Sequence, residues 1–193
     1  MIEVIKDFKV NYEQMLDDYD YIIQKAFGST EWDEGVITRG TGIHLRGDDF
    51  LDTTNFINEA GGDYRTLTKE EVKVFIDKHL EKYSFWNKNC PEYTRNTIDA
   101  LSEHLKFPIH RARYLRMQPG MGLPIHKDAD VRYHFVMHTN PKAFFATTDT
   151  IEDLTNLKYE HMPVINHFYR VDTTKPHFVF NAGTSPRIHL VIS

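Results

Sequence analysis

The sequence predicts an α+β fold with a mainly antiparallel β core, a sandwich or barrel supported by helices from the first half of the chain. Three observations carry that prediction. Apolar residues recur at helical spacing in the first hundred or so residues; from Ile109 onward the period changes to about two; and turn residues such as Pro119-Gly120, Asn140-Pro141 and Asn181-Ala182-Gly183 separate the short alternating pieces. Runs of helix followed by runs of strand argue against an alternating βαβ order.

Taken in order, the chain opens with a short apolar start. Asn11 to Ala26 then places Met15, Tyr19, Ile22, Ile23 and Ala26 at helical spacing with acidic residues between them, the pattern of a helix docked on one face. Gly28 to Asp63 carries seven glycines between short apolar pieces such as Ile43-His44-Leu45, and a segment of that length without periodicity reads as a functional loop or lid. Thr68-Lys69-Glu70-Glu71 has the spacing of a capping box, and Val72, Phe75, Ile76, Leu80 and Tyr83 follow on one face of the helix it would open. A further helix begins near Pro91, buries Ile98, Leu101 and Leu105, and is interrupted by Pro108.

The strand candidates are Tyr114 to Met117, Val131 to His138, Ala143 to Thr147, Val164 to Val171, His177 to Phe180 and Arg187 to Ile192. On the second of these, Arg132, His134, Val136 and His138 share one face, while Val131, Tyr133, Phe135 and Met137 share the other and read as core. No boundary splits off a second domain, so residues 1–193 are read as one domain, 1–108 supporting 109–193.

The net charge is −5, and no run of Lys and Arg is interleaved with aromatics, which argues against a nucleic-acid partner. No apolar run approaches the roughly 20 residues of a membrane helix. One cysteine, Cys90, excludes an internal disulfide and has no basic neighbour to activate it, and the start lacks the apolar stretch of a signal peptide. Together these suggest a reducing, cytoplasmic setting.

Three places carry chemistry. His126 and Asp128 are two apart, so on one strand both would point the same way and reach one metal; the turn-rich Gln118 to Pro124 would deliver His126 at a strand start. Alone this pair is weak evidence. His177 opens an apolar strand and could be a second imidazole ligand, though a lone histidine there is more often a core residue bonded to backbone. Arg187 lies within an otherwise apolar strand, where burial is costly unless an anion meets it; a carboxylate ligand beside a metal would do so, and so would an internal salt bridge, for instance with Asp172. Two imidazoles and one carboxylate on one face of Fe(II) leave the other face open for chemistry. Arg132 and His134 belong either to this site or to a solvated strand face. His138, His167 and His189 read as satisfied or exposed histidines, and Asn181 as a turn cap.

His126-x-Asp128, His177 about fifty residues later and Arg187 ten residues beyond resemble the 2-oxoglutarate- and Fe(II)-dependent oxygenases, and most closely their aspartyl/asparaginyl β-hydroxylase-like branch. Met117-Gln118-Pro119-Gly120, Arg132-Tyr133-His134, Asn140-Pro141 and Val171-Asp172 add to the likeness, which covers roughly Tyr114 to Ser193. The resemblance implies a double-stranded β-helix, a cupin-like jelly roll with His177 and Arg187 on facing sheets, both pointing inward. It implies Fe(II) at His126, Asp128 and His177, with 2-oxoglutarate as co-substrate, its distal carboxylate on Arg187, and Arg132 and His134 on the co-substrate or substrate side. It further implies O2 as oxidant, succinate and CO2 as co-products, and hydroxylation of a small amino-acid-like molecule or of a peptide or protein side chain. The best-known members of that branch lack the carboxylate ligand. Here Asp128 is present, which also argues against the related halogenases. The alternatives are a jelly-roll protein that binds metal or carboxylate without turnover and a cupin-like metal enzyme that needs no keto acid; the His-x-His cluster expected of the latter is absent.

Overall fold

The computed structural model of the chain describes residues 2–33, 42–52, 67–151 and 154–193. Among these, two antiparallel sheets face each other. The larger has the order β1-β8-β5-β10-β3-β2 and the smaller β4-β9-β6-β7, where β1 is Ile2–Lys9, β2 Ile43–His44, β3 Ala112–Met117, β4 Gly122–His126, β5 Arg132–His138, β6 Ala143–Thr147, β7 Lys158–Glu160, β8 His167–Val171, β9 His177–Asn181 and β10 Arg187–Ile192. From β3 onward the chain crosses between the sheets at every step except β6 to β7, which winds a jelly roll, the double-stranded β-helix.

Among the described residues three helices, α1 (Tyr12–Phe27), α2 (Lys69–Glu81) and α3 (Glu92–Leu105), precede the roll. Asn11 accepts the Gln14 amide to start α1, and Gly28, in the left-handed region at φ 67°, ends it. The capping box at Thr68 forms as the spacing predicts, with the Thr68 hydroxyl accepting from the Glu71 amide and the Glu71 carboxylate accepting from the Thr68 amide. Ile76, expected on the buried side of that helix, is 40% exposed. Pro91 stands as the cap before α3, and the helix ends at Leu105, ahead of Pro108, through Lys106 at φ 53°.

The larger sheet is buried on both sides, unlike the one-sided sheet the alternation on β5 suggests. Its outer side packs Tyr133, Phe135, Met137, Leu190 and Ile192 against Met15, Ile22, Ile98 and Leu101 of α1 and α3. Its inner side adds Met117, Val136, Tyr169 and Val171, which meet Phe145 and Val179 of the smaller sheet. Each such fully buried side chain stabilises the fold by roughly 1.5–3 kcal/mol before entropy is counted. The helices therefore hold the larger sheet as a rigid wall, and its inner face is free to carry polar groups.

Several local expectations change. The apolar start is an eight-residue strand, β1, paired with β8; β7 joins the smaller sheet within the Thr148 to His161 region; and Val164 to Val171 is a strand only from His167. The proposed loop from Gly28 to Asp63 contains β2, and the parts at 34–41 and 53–63 lie outside the described residues. Gly42, at φ 74°, runs so close to Tyr114 that a Cβ there would collide with the Tyr114 carbonyl oxygen, so this approach to β3 requires glycine. His138 is not on the Arg132 face: Val136 pairs with His189 and His138 with Ile188, so Met137 is the extra residue of a β-bulge that turns His138 toward Tyr19 of α1, ring centroids 6.3 Å apart.

Candidate metal centre

The smaller sheet brings two imidazoles face to face. His126, the last residue of β4, is the cross-strand partner of His177, the first of β9, and their ring centroids are 4.3 Å apart. Simple alternation from Leu123, which faces the interior, would send His126 outward. Between Leu123 and His126 the register against β9 slips by one residue, and Pro124, which has no amide hydrogen to pair, sits in that irregularity. The bulge thus turns His126 inward.

Asp128 is not on the same strand, contrary to the simplest reading of His-x-Asp, and His126 ends a strand instead of starting one. The loop after β4 carries Asp128, and its amide donates to the Thr173 carbonyl at 2.9 Å, tying that loop to the β8–β9 connection. Asp128 Oδ2 then lies 3.7 Å from His177 Nε2 and Oδ1 4.0 Å from His126 Nε2. Among the described residues these three donors form a group able to hold one metal ion, with ligand atoms all within 4.8 Å of one another.

The tautomers suit a metal as well. His126 Nδ1 lies 2.7 Å from the Pro124 carbonyl and His177 Nδ1 2.9 Å from the Lys175 carbonyl. A carbonyl can only accept, so each Nδ1 carries the proton and each Nε2 turns a lone pair toward Asp128. His177 is 3% exposed and stacks on Phe145; burial, its largest influence, lowers its pKa and favours the neutral, ligating form. Arg132, on the inner face of β5, donates Nη2 to Asp128 Oδ1 at 2.6 Å and holds that carboxylate in place.

Arg187 opens β10 on the inner face of the larger sheet, and one cavity is bordered by Arg187, His134, Arg132, Asp128, His126 and His177. Arg187 is 5% exposed, and burial lowers its pKa to about 10, which leaves it a cation at neutral pH. Among the described residues it has no carboxylate partner. Asp172, the alternative partner, instead accepts from the Thr174 hydroxyl at 2.6 Å. Arg187 Nη2 lies 3.0 Å from His189 Nδ1. His189 is therefore a site residue that sequence reading left out; Arg187-x-His189 at strand spacing was the available signal. Asn181 does cap its turn, donating Nδ2 to the carbonyls of Met117 and Ser185. Cys90 is buried, and burial raises its thiol to about 12, consistent with an inert thiol. Trp32 and Arg116 also line this cavity, the guanidinium donating to the Trp32 carbonyl at 3.4 Å.

His134 and His189 are both pushed well below the usual histidine range, first by burial and then by the neighbouring Arg187 cation. With folded-state pKa values below that of the unfolded chain, their contribution to stability is whole above about pH 6.5 and declines as pH falls toward the folded values. Urea titrations should show stability falling between about pH 6.5 and 5, by up to about 1.4 kcal/mol per pH unit for each ring. His189→Leu should make that fall shallower.

Residues 77–193, more than half of the chain, match the family model described as aspartyl/asparaginyl beta-hydroxylase. The chain belongs to the aspartyl/asparaginyl beta-hydroxylase family. The match to this hydroxylase family takes in the whole jelly roll with α3, and part of α2. Comparison with curated proteins gives no significant match. Among solved structures, the chain is similar to an oxidoreductase of the 2OG-Fe(II) oxygenase family from Burkholderia pseudomallei, with 12% identity, TM-score 0.41, and coverage of 53% of this chain and 56% of that one. It is also similar to a Pseudomonas putida prolyl-4-hydroxylase, with 17% identity, TM-score 0.35, and coverage of 54% of this chain and 65% of that one. A cupin domain from Bordetella pertussis aligns with 17% identity, TM-score 0.34, 43% of this chain and 78% of that one. The chain thus spans less than two thirds of the length of the Burkholderia and Pseudomonas proteins.

Proposed function

We propose that this member of the family is an Fe(II)- and 2-oxoglutarate-dependent oxygenase that hydroxylates an unactivated C–H bond. The observation that carries the reading is the meeting, in one cavity, of a His126, Asp128 and His177 donor set with Arg187, a buried cation that no carboxylate neutralises among the described residues. The donor chemistry fits iron: two imidazole nitrogens with fixed tautomers and one carboxylate, leaving the cavity side open. Iron with 2-oxoglutarate and O2 supplies the oxidation, in which the keto acid leaves as succinate and CO2 and one oxygen atom enters the substrate C–H bond.

The chain's own residues bind, orient and shield. His126, Asp128 and His177 would hold the ion, and Arg187 would hold the distal carboxylate of 2-oxoglutarate through a paired, charge-assisted contact. Arg132 fixes Asp128 and His134 borders the same space. Leu123, Phe145 and Val179 line it with apolar surface, which excludes water and strengthens each ionic contact. The substrate proposed is a small amino-acid-like molecule or a peptide or protein side chain. The chain would act as one domain in a reducing, cytoplasmic setting, without nucleic acid or membrane; no helix among the described residues is long and apolar enough to cross a membrane.

Fe(II), 2-oxoglutarate and O2 supplied with a panel of amino acids and peptides test the reading. Succinate should form in step with a product 16 mass units heavier; an iron-loaded protein that makes no succinate with any substrate, beyond the level without protein, would contradict it. A separate outcome concerns Arg132. Since it orients a ligand carboxylate from outside the ligand set, Arg132→Gln should weaken divalent metal binding by about 10- to 100-fold, measured by titration with Mn(II).

A further inference from the structure

Behind the cavity, the inner faces of β10 and β5 carry a line of three polar side chains. Arg187 Nη2 lies 3.0 Å from His189 Nδ1, and His134 Nδ1 lies 3.3 Å from that same nitrogen. The two rings meet edge to face, 84° between planes with centroids 5.5 Å apart. They come from neighbouring strands, since His189 pairs with Val136 and Val191 with His134, so the contact is built into the sheet register.

Proton placement follows from which groups can donate. A guanidinium has hydrogens and no acceptor, so His189 Nδ1 must offer Arg187 its lone pair, and the His189 proton is on Nε2. His134 Nδ1 can meet that lone pair only by donating, so the His134 proton is on Nδ1 and its Nε2 is an acceptor. Both that Nε2 and the His189 Nε2 are buried with no hydrogen-bond partner among the described residues, and of the two rings it is His134 that borders the cavity.

We propose that His189 is a positioning residue: by accepting from Arg187 it aims the guanidinium at the cavity, and through the shared Nδ1 it fixes the His134 tautomer, so that His134 offers Nε2 as an acceptor there. The group that meets His134 is accordingly a donor, a hydroxyl or ammonium of the substrate or an ordered water, and not an oxygen of a carboxylate. The role of Arg187 in this rests on the oxygenase reading above; the proton positions do not. The neutral state of both rings, favoured by burial beside Arg187, is consistent with it.

Long-range 1H–15N spectra of the histidine side chains, on Zn(II)-loaded protein without co-substrate, read the tautomers directly. His134 should show its proton on Nδ1 and His189 on Nε2, and in His189→Leu the His134 proton should redistribute between the nitrogens. A wild-type His134 protonated on Nε2 overturns the proposal without any variant. Calorimetric titration with 2-oxoglutarate then tests positioning. His189→Leu should weaken binding about tenfold or more, the loss of a hydrogen bond to a charged group, with Zn(II) affinity changed less than about twofold. His189→Asn, which keeps an acceptor near the Nδ1 position, should recover affinity to within about threefold of wild type. Equal loss in Leu and Asn variants of unchanged thermal stability would mean that ring packing, and not the accepted hydrogen bond, matters, and would overturn the proposal. If the wild-type protein binds no 2-oxoglutarate, the oxygenase reading fails, and the spectra still decide the tautomers.

Discussion

His177→Ala is expected to abolish specific metal binding, with divalent affinity falling by more than about 100-fold, beyond the 10- to 100-fold typical of losing an outer partner. His177 is the ligand candidate most firmly held. It is 3% exposed, stacked on Phe145 and tied to the Lys175 carbonyl, so that its free nitrogen has one direction, toward Asp128. Without it, His126 and Asp128 remain at the more open edge of the group, and two ligands do not define a site. The loss should be specific. His138→Ala, which alters an exposed histidine beside Tyr19 on the far side of the sheet, should leave metal binding unchanged. Calorimetry with Mn(II) on both variants checks the pair.

Arg187→Ala is expected to weaken 2-oxoglutarate binding by about 2–5 kcal/mol while leaving metal affinity within about twofold. The cation already bears the cost of burial, which lowers its pKa to about 10 without any carboxylate neighbour among the described residues. A bound dicarboxylate would offset that cost, and truncation removes the buried charge that would meet it. Arg187→Lys should recover part of the loss, since an ammonium supplies the charge and not the planar fork. Equal weakening of metal and co-substrate would instead assign Arg187 a structural role. Parallel titrations with each ligand separate the two outcomes.

What could be read from the sequence was local in origin. The Thr68 to Glu71 capping box, the helix through Ile98 and Leu101 and the strand from Arg187 to Ile192 each follow from contacts a few residues apart or from simple alternation. The features that escaped depend on distant partners. β1 carries charged residues at Glu3, Lys6, Asp7 and Lys9 and is a strand because β8 pairs with it, 158 to 169 residues away. Two bulges reverse simple alternation, at Pro124-Ile125 to turn His126 inward and at Met137 to turn His138 outward. Sequence spacing paired His126 with Asp128 for a geometric reason that did not hold: Asp128 reaches its place beside His126 and His177 through a loop pinned by Thr173, and not along a shared strand. His189 went unread because a histidine in an apolar strand looks the same whether it fills space or orients an arginine.

The most direct test of the central claim is anaerobic visible spectroscopy of the protein with Fe(II) and 2-oxoglutarate. The account predicts a weak visible band that requires both ligands, saturates at one of each per chain, vanishes in His177→Ala and needs far more 2-oxoglutarate in Arg187→Ala. Iron retained by the protein with no band at saturating 2-oxoglutarate, or a band unchanged in His177→Ala, would contradict it.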